Sequence, residues 1–309
     1  MRIITRGDMD GLISSVLLTA MEPVREIVFV HPKEAQDGNF SATKDDIIVN
    51  LPYIKGCGMW FDHHISEDEK AEAVKASGGF KGLYKMAPSA ARVIYDYYKS
   101  PKLDAFKEML EAIDRFDSAQ LTPQDVLAPK DWIQLAYTID PRTGLGPEFQ
   151  KYFRWMAEYA KEVPIAKILK HPEVKKRVDK VIKEQSEFKK ALKANCRMDG
   201  TVVVTDLRSI SPVPSGNRFL VFTLFPKANV EVRVFWGKPA GSPDNRGKDK
   251  AKVVIACGHS IFNRTCKVNI GKLLAKYGGG GHTGAGTCQI APDKAEAAIK
   301  EIVNKLKAN

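Results

Sequence analysis

The first 64 residues repeat one pattern, a short apolar run that ends in polar residues. MRIIT is followed by GDMDG, the helically spaced LISSVLLTAM comes next, and REIVFVHP has the composition of another buried strand. DDIIVNLP and GMWFDHH repeat the strand with its polar end, and the segments PSAARVIYDYYK and LDAFKEMLEAIDRF have the periodicity of amphipathic helices. The pattern predicts a parallel sheet flanked by helices, with any ligand bound at the carboxyl ends of its strands.

The second half of the chain changes character. Residues 148–194 are lysine-rich and helical in pattern. Four segments then have the pattern of strands: TVVVTDL, RFLVFTLFP, VEVRVFWG and KVVIACG. GKPAGSPDNRGKDK indicates a hairpin loop, and the rest of the chain reads as helix, glycine loop, strand and helix. We therefore predict an α/β protein with an N-terminal parallel-sheet domain (1–150), a helical connector (151–199) and a smaller C-terminal α/β domain with a mixed sheet (200–309).

Composition narrows the classes of protein further. No apolar run approaches the roughly 20 residues that cross a bilayer, and charged residues interrupt the N-terminus, so we expect a cytoplasmic protein with no membrane partner. The five cysteines are scattered and form no CxxC pair, which predicts reduced, mostly structural thiols. Residues 1–150 carry a formal charge of −6 and residues 201–309 one of +10, which suits a metal site and a platform for a polyanion, or only a lysine-rich surface.

Two clusters near strand ends have the chemistry of a metal site. Asp8 and Asp10 in GDMDG bring two carboxylates to one loop, and hard cations such as Mg²⁺ or Mn²⁺ favour carboxylate oxygens. Asp62, His63 and His64 follow the strand GMWF, and the two histidines point to different sides of an extended chain, so that one could bind a metal and the other a phosphate. A turn with hydrogen-bonded side chains is the alternative for each cluster.

A glycine cluster near the C-terminus is suited to anions. Because glycine lacks a side chain, its backbone N–H groups can approach an anion closely, and an adjacent imidazole can donate to phosphate. A flexible turn is the alternative. The cluster consists of Gly278, Gly279, Gly280 and Gly281, and His282 follows it.

Together, TRGDMDGLISS, VNLP, WFDHH, IDRFDSAQ and GGGGHTGAG resemble the motifs of the DHH family of phosphoesterases that carry a DHH-associated C-terminal domain. That family includes oligonucleotide phosphatases, cyclic dinucleotide phosphodiesterases, RecJ-like exonucleases and polyphosphatase-like relatives. The resemblance implies that the N-terminal domain holds metal ions and that the C-terminal domain binds substrate.

Site residues follow from the resemblance position by position. The implied metal ligands are Asp8, Asp10, Asp62, His63 and an aspartate of the fourth motif, which is Asp117 or, one helical turn earlier, Asp114. His64 is the implied phosphate-facing residue. In the C-terminal domain, His282 and the glycine cluster match the substrate motif, and the phosphate positions upstream of it correspond to His259, Ser260 and Arg264.

Two positions depart from the family pattern. Relatives usually carry a histidine before the first aspartate pair, whereas this chain has Ile4, Thr5 and Arg6, and the second-motif aspartate is Asn50. An amide offers only a neutral oxygen, and an arginine repels a cation. Three outcomes follow: one ion with Arg6 replacing the second, two ions with altered ligands, or an anion-binding cleft that has lost catalysis.

We therefore predict metal-assisted hydrolysis of phosphodiester or phosphoanhydride bonds with one or two Mn²⁺ or Mg²⁺ ions, in which His64 and Arg6 stabilise charge on the phosphoryl oxygens. The predicted substrate is a short oligonucleotide or a related nucleotide, with polyphosphate as the competitor. A catalytically degenerate nucleotide- or RNA-binding protein is the alternative from another class, and a homodimer is an open alternative for the assembly.

Overall fold

A computed structural model describes residues 1–139, 145–237 and 251–308, which form two compact units. The first unit comprises Met1–Leu121 and Pro129–Asp179, and the second comprises Thr122–Ala128 and Lys180–Asn309. The division at 179/180 falls within the stretch predicted as a connector.

The first unit contains the predicted parallel sheet. Its five strands lie in the order β2-β1-β3-β4-β5, and every pairing is parallel. The central strand β3 and its neighbour β4 are buried at all four positions, as is typical of parallel strands covered on both faces. The strands are β1 (Arg2–Thr5), β2 (Glu26–Phe29), β3 (Asp46–Val49), β4 (Met59–Asp62) and β5 (Gly82–Tyr84).

Helices cover this sheet and continue into the second unit. The first of them, α1, begins directly after the Asp8 cap and is buried over most of its length. The helices are α1 (Met9–Met21), α2 (Pro32–Gln36), α3 (Asp68–Ala76), α4 (Ala90–Tyr98), α5 (Lys107–Asp117), α6 (Pro123–Leu127), α7 (Asp131–Ala136), α8 (Pro147–Glu162), α9 (Ile165–Ile168) and α10 (Pro172–Asn195), with 3₁₀ turns at Ile65–Glu67 and Pro101–Phe106.

The second unit is built on a mixed sheet of six strands in the order β10-β11-β9-β8-β7-β6. The β7–β8 pair is parallel and the other pairs are antiparallel, so the predicted fold class is confirmed. The last helix, α13, contributes its buried face to the same apolar core as these strands. The elements are β6 (Cys196–Asp199), β7 (Val202–Asp206), α11 (Leu220–Leu224), β8 (Val230–Trp236), β9 (Val253–His259), α12 (Ile270–Ala275), β10 (Gly280–His282), β11 (Ala285–Ile290) and α13 (Pro292–Lys307).

Three details differ from the sequence prediction. RFLVFTLFP forms the short helix α11 instead of a strand, because a short apolar run fits either element and here the Asn217 side chain accepts the Phe219 N–H and starts a helical turn. NCRMDG begins with strand β6 before its turn at Gly200, and half of the glycine cluster forms β10. The predicted hairpin loop lies, apart from Gly237, outside the described residues. Within the described ranges, no helix is long and apolar enough to cross a membrane.

Candidate metal centre

Three neighbouring strands of the first unit end in polar residues at the same edge. Asp8 and Asp10 follow β1, Asn50 follows β3, and Asp62 and His63 stand at the end of β4. Because parallel neighbours run in the same direction, their carboxyl ends meet, and residues more than 50 positions apart in sequence are brought together. The site is therefore positioned by the sheet.

Asp10, His63 and Asp117 form a potential ligand set. The His63 Nε2 atom lies 3.6 Å from Asp10 Oδ2 and 3.3 Å from Asp117 Oδ2. The other ring nitrogen, Nδ1, donates to the Ala87 carbonyl oxygen at 3.0 Å, so the Nε2 lone pair is turned toward the two carboxylates. Nε2 is buried without a hydrogen-bond partner. A divalent cation fits this cluster of one imidazole and two carboxylates, whose ligand atoms lie within 4.8 Å of one another.

Asp10 is held by the backbone of α4. Its Oδ2 accepts the Ala90 N–H at 2.8 Å and its Oδ1 accepts the Ala91 N–H at 2.9 Å, at the start of that helix. Burial raises the pKa of Asp10, although His63 and the two amides oppose the shift. The two amides leave the carboxylate a single orientation, with Oδ2 toward His63.

Asp117 completes the set from the end of α5. Its side chain is 33% exposed, so this ligand is the one that meets solvent. Desolvation, followed by the charges of Asp10 and Asp8, raises the pKa of Asp117 well above its ordinary value. This crowding of carboxylates is relieved by a cation.

Asp62 and His64 form a second pair beside the first set. His64 Nδ1 lies 2.8 Å from Asp62 Oδ1, while Asp62 Oδ2 is buried without a partner. Burial alone lowers the pKa of His64, but the hydrogen bond and charge of Asp62 outweigh it, with help from Asp117 and Asp10, and raise the pKa to about 9. His64 is therefore a cation at neutral pH, with 40% of its side chain exposed, which suits contact with an anion.

Both departures from the family pattern converge on Asp8. Asp8 Oδ1 accepts the Gly11 N–H at 3.0 Å and the Asn50 Nδ2 at 2.8 Å, while Arg6 Nε lies 3.0 Å from Asp8 Oδ2. Asn50 has a left-handed backbone (φ 56°), a conformation that asparagine tolerates. Burial raises the pKa of Asp8 to about 6, against the charge of Arg6. Both oxygens of Asp8 are thus already engaged by this chain's own residues.

Asp114, the alternative to Asp117, belongs to a different network. Its Oδ1 accepts the Ser89 hydroxyl at 2.7 Å and its Oδ2 accepts Arg92 Nε at 2.8 Å. Ser89 is the N-cap of α4, the helix whose first amides hold Asp10. Sequence reasoning missed Ser89 and Arg92; the signal was present in PSAAR, where a serine precedes a helical run.

In the second unit, the predicted substrate residues lie around the β10–β11 hairpin. Gly281 pairs with Gly286, and a side chain at Gly281 would drive its Cβ into the Ala285 carbonyl oxygen, so glycine is required there. His282 is exposed at the end of β10. His259 Nε2 lies 2.9 Å from the Val268 carbonyl oxygen, so that this nitrogen is used within the fold.

Two further predicted residues make local turn contacts. The Ser260 hydroxyl is buried and accepts the N–H groups of Phe262 and Asn263, and Arg264 Nε donates to the Ile261 carbonyl oxygen. Ser260 therefore stabilises the turn that follows β9.

Comparison with solved structures identifies relatives of this arrangement. A pGpG-specific phosphodiesterase, PggH from Vibrio cholerae, is 36% identical to the chain over 99% of both chains, with a TM-score of 0.85. An exopolyphosphatase-related protein from Bacteroides fragilis is 12% identical, covering 99% of this chain and 92% of that chain with a TM-score of 0.51. RecJ from Thermus thermophilus, in complex with Mn²⁺, is 13% identical with a TM-score of 0.54, and the match covers 100% of this chain and 52% of that one. No protein-family model and no curated protein matches the chain.

The chain belongs to the DHH family of metal-dependent phosphoesterases. The similarity to PggH spans both units, while the similarity to the two more distant structures shows the shared fold alone. The family resemblance inferred from the motifs is thereby confirmed, and with it the expectation of an enzyme.

Proposed function

We propose that the chain hydrolyses pGpG or a closely related linear dinucleotide to mononucleotides. The observation that carries this substrate is the 36% identity to a pGpG-specific phosphodiesterase over 99% of both chains, which leaves almost no part of the fold unmatched. Hydrolysis of the single internal phosphodiester of pGpG by one water yields two molecules of GMP. This choice lies within the class of short oligonucleotides that the sequence predicts.

We further propose that the centre works with one divalent cation. The surroundings of Asp8 support this stoichiometry, because Gly11, Asn50 and Arg6 already engage both of its carboxylate oxygens. A second ion would have to displace Arg6 and Asn50 from Asp8.

Asp10, His63 and Asp117 would hold the ion. Asp62, which groups with His63 and His64 and has a buried, unpartnered Oδ2, is a candidate for a further ligand. When bound, a divalent cation makes water a better nucleophile and neutralises charge on the phosphoryl group. One imidazole with carboxylate oxygens suits Mn²⁺, and Mg²⁺ is the alternative.

The remaining residues would act on the phosphate. Asp62 fixes the ring of His64 through Nδ1, so its Nε2–H is free to donate to a phosphoryl oxygen. Arg6 keeps a guanidinium beside the centre, where it could take over the charge of a second cation, and 41% of its side chain is exposed to an incoming anion. We propose that both groups stabilise the charge that develops in the transition state. For His259, His282 and the glycine cluster, contact with substrate phosphate stays a prediction.

The test is a substrate panel with a metal titration. The protein is incubated with Mn²⁺ and, in turn, pGpG, a cyclic dinucleotide, a longer RNA and polyphosphate, and products are quantified by chromatography. We expect pGpG to be converted to GMP and the activity to be lost in His63→Ala, a variant that removes one ligand. Calorimetric titration should give one Mn²⁺ per chain.

Other outcomes contradict specific parts of the proposal. Phosphate release from polyphosphate without dinucleotide cleavage would refute the substrate, and two strongly bound ions would refute the single-ion centre. Binding of pGpG that survives chelation, without turnover, would identify a non-catalytic binder instead.

A further inference from the structure

The most exposed large apolar side chains of the described residues are Ile65 and Met86, at 67% and 61%. Such side chains are usually scattered over a protein surface and need no explanation. These two, however, are not scattered. Ile65 is adjacent in sequence to His64, and Met86 is adjacent to a residue that contacts His63.

Ile65 directly follows His64, and Met86 directly precedes Ala87, whose carbonyl oxygen accepts from His63 Nδ1. The two segments leave the sheet side by side, because β4 and β5 are paired in parallel and Tyr84 Oη donates to the His64 carbonyl oxygen at 3.0 Å. Both apolar side chains therefore lie at the sheet edge where the ligands converge.

The chemistry next to Ile65 and Met86, here called the apolar patch, indicates what this patch contacts. The proposed metal centre attracts an anion, whereas an isoleucine and a methionine offer that anion nothing. A ligand that gains from both must carry a phosphate with an apolar face beside it. Nucleotides have this property, since each phosphodiester is flanked by bases with flat apolar faces, and the thioether of methionine packs well against aromatic rings. Polyphosphate does not have it.

We propose that Ile65 and Met86 contact the nucleobase next to the scissile phosphate and thereby determine that the enzyme prefers nucleotides to base-free phosphoesters. The proposal rests on the proposed function, because it requires a nucleotide substrate at the metal centre. It assigns a specificity role to two residues outside the ligand set.

The test compares substrates that differ by one base. Wild-type protein and the double variant Ile65→Ser/Met86→Gln are assayed on pGpG and on two analogues in which one or the other guanine is replaced by an abasic ribose. We expect kcat/KM on pGpG to fall about tenfold, mainly through KM; that factor corresponds to about 1.4 kcal/mol, or roughly 55 Å² of apolar contact. On the analogue that lacks the contacted base, the variant should equal the wild type.

Matched controls separate this role from a structural one. Ile65→Leu/Met86→Leu keeps the apolar surface and should retain the pGpG activity, and Mn²⁺ affinity measured by calorimetry should be the same in all three proteins. Equal losses on all three substrates, or no loss on pGpG, would overturn the proposal while leaving the proposed function intact. A change in oligomeric mass in the polar variant would also overturn it, since the patch would then be an interface between copies. Wild-type protein that cleaves no dinucleotide would refute both proposals.

Discussion

Substitution of Asp114 tests whether a residue that is not a ligand controls the metal centre. Asp114 holds Ser89, the N-cap of α4, and Arg92 in the first turn of the same helix. The first two amides of that helix hold both oxygens of Asp10. We therefore expect Asp114→Asn to loosen Asp10 and to weaken Mn²⁺ binding about 10- to 100-fold, as is typical for outer partners of metal ligands.

The magnitude follows from the bonds that change. Hydrogen bonds to a charged group contribute about 1.5–3 kcal/mol each, roughly twice those of neutral pairs, and a helix cap contributes about 1 kcal/mol. Asparagine keeps one acceptor oxygen for Ser89 or Arg92 but loses the charge and the second acceptor. If about half of this lost hydrogen-bond energy affects the position of Asp10, Mn²⁺ is bound more weakly by about 1.4–2.8 kcal/mol. This energy corresponds to the roughly 10- to 100-fold loss of affinity given above.

The assay is calorimetric titration with Mn²⁺, together with thermal unfolding in the presence of a chelator. Asp104→Asn is the matched control, because Asp104 also accepts a hydrogen bond from α4, through the Tyr95 hydroxyl at 2.6 Å, but at the exposed surface. That variant should bind Mn²⁺ like the wild type. If Asp114→Asn also binds Mn²⁺ with wild-type affinity, the link from Asp114 through α4 to Asp10 is refuted.

Substitutions at three further positions have expected outcomes. Arg6→Gln should lower kcat on pGpG about a hundredfold without weakening Mn²⁺ binding. An unchanged kcat would reduce Arg6 to a partner of Asp8, and Arg6→Lys measures what a point charge retains. Asn50→Asp replaces the donor to Asp8 with another acceptor. The variant should therefore have a lower melting temperature without metal and gain more stability from Mn²⁺ than the wild type. Equal shifts of the melting temperature with and without Mn²⁺ would contradict this. Asp46 is buried, which alone would raise its pKa, but the hydrogen bonds from Arg2 and Thr43 lower that pKa. The Asp46 carboxylate therefore stabilises the fold at pH values above the ordinary aspartate pKa of about 4. This stabilisation is lost as the pH falls through the lowered pKa. Asp46→Asn should lower the melting temperature by several degrees near neutrality and flatten its dependence below about pH 4, and a pH dependence parallel to the wild type would refute this.

The sequence predicted which sheet edge of the first unit carries the polar residues, because that pattern can be read within each short segment. Asp8, Asp10 and Asp62 each follow an apolar run, and parallel strands must bring their carboxyl ends to one edge. The choice between Asp114 and Asp117 was beyond it, because three-residue spacing on a helix places both on similar sides. The contact that favours Asp117 comes from another helix, where Arg92 engages Asp114.

Long-range pairing and an ambiguous local pattern explain what else could not be predicted. Arg6 and Asn50 were recognised as departures, but 42 positions separate Asn50 from the Asp8 carboxylate that both engage. Helix α11 was predicted as a strand because its short apolar run lacks a decisive period. The Asn50 contact is long-range, whereas α11 is decided locally by Asn217, the residue just before the segment that was read.

The proposed ligands of the metal centre come from positions 10, 63 and 117, all within the first compact unit. No short peptide from this chain can assemble them, so the ion can be captured only after the strands and α5 have come together. With this ligand set, Mn²⁺ uptake would report on the folding of the first unit, because the three ligands meet only in its folded state.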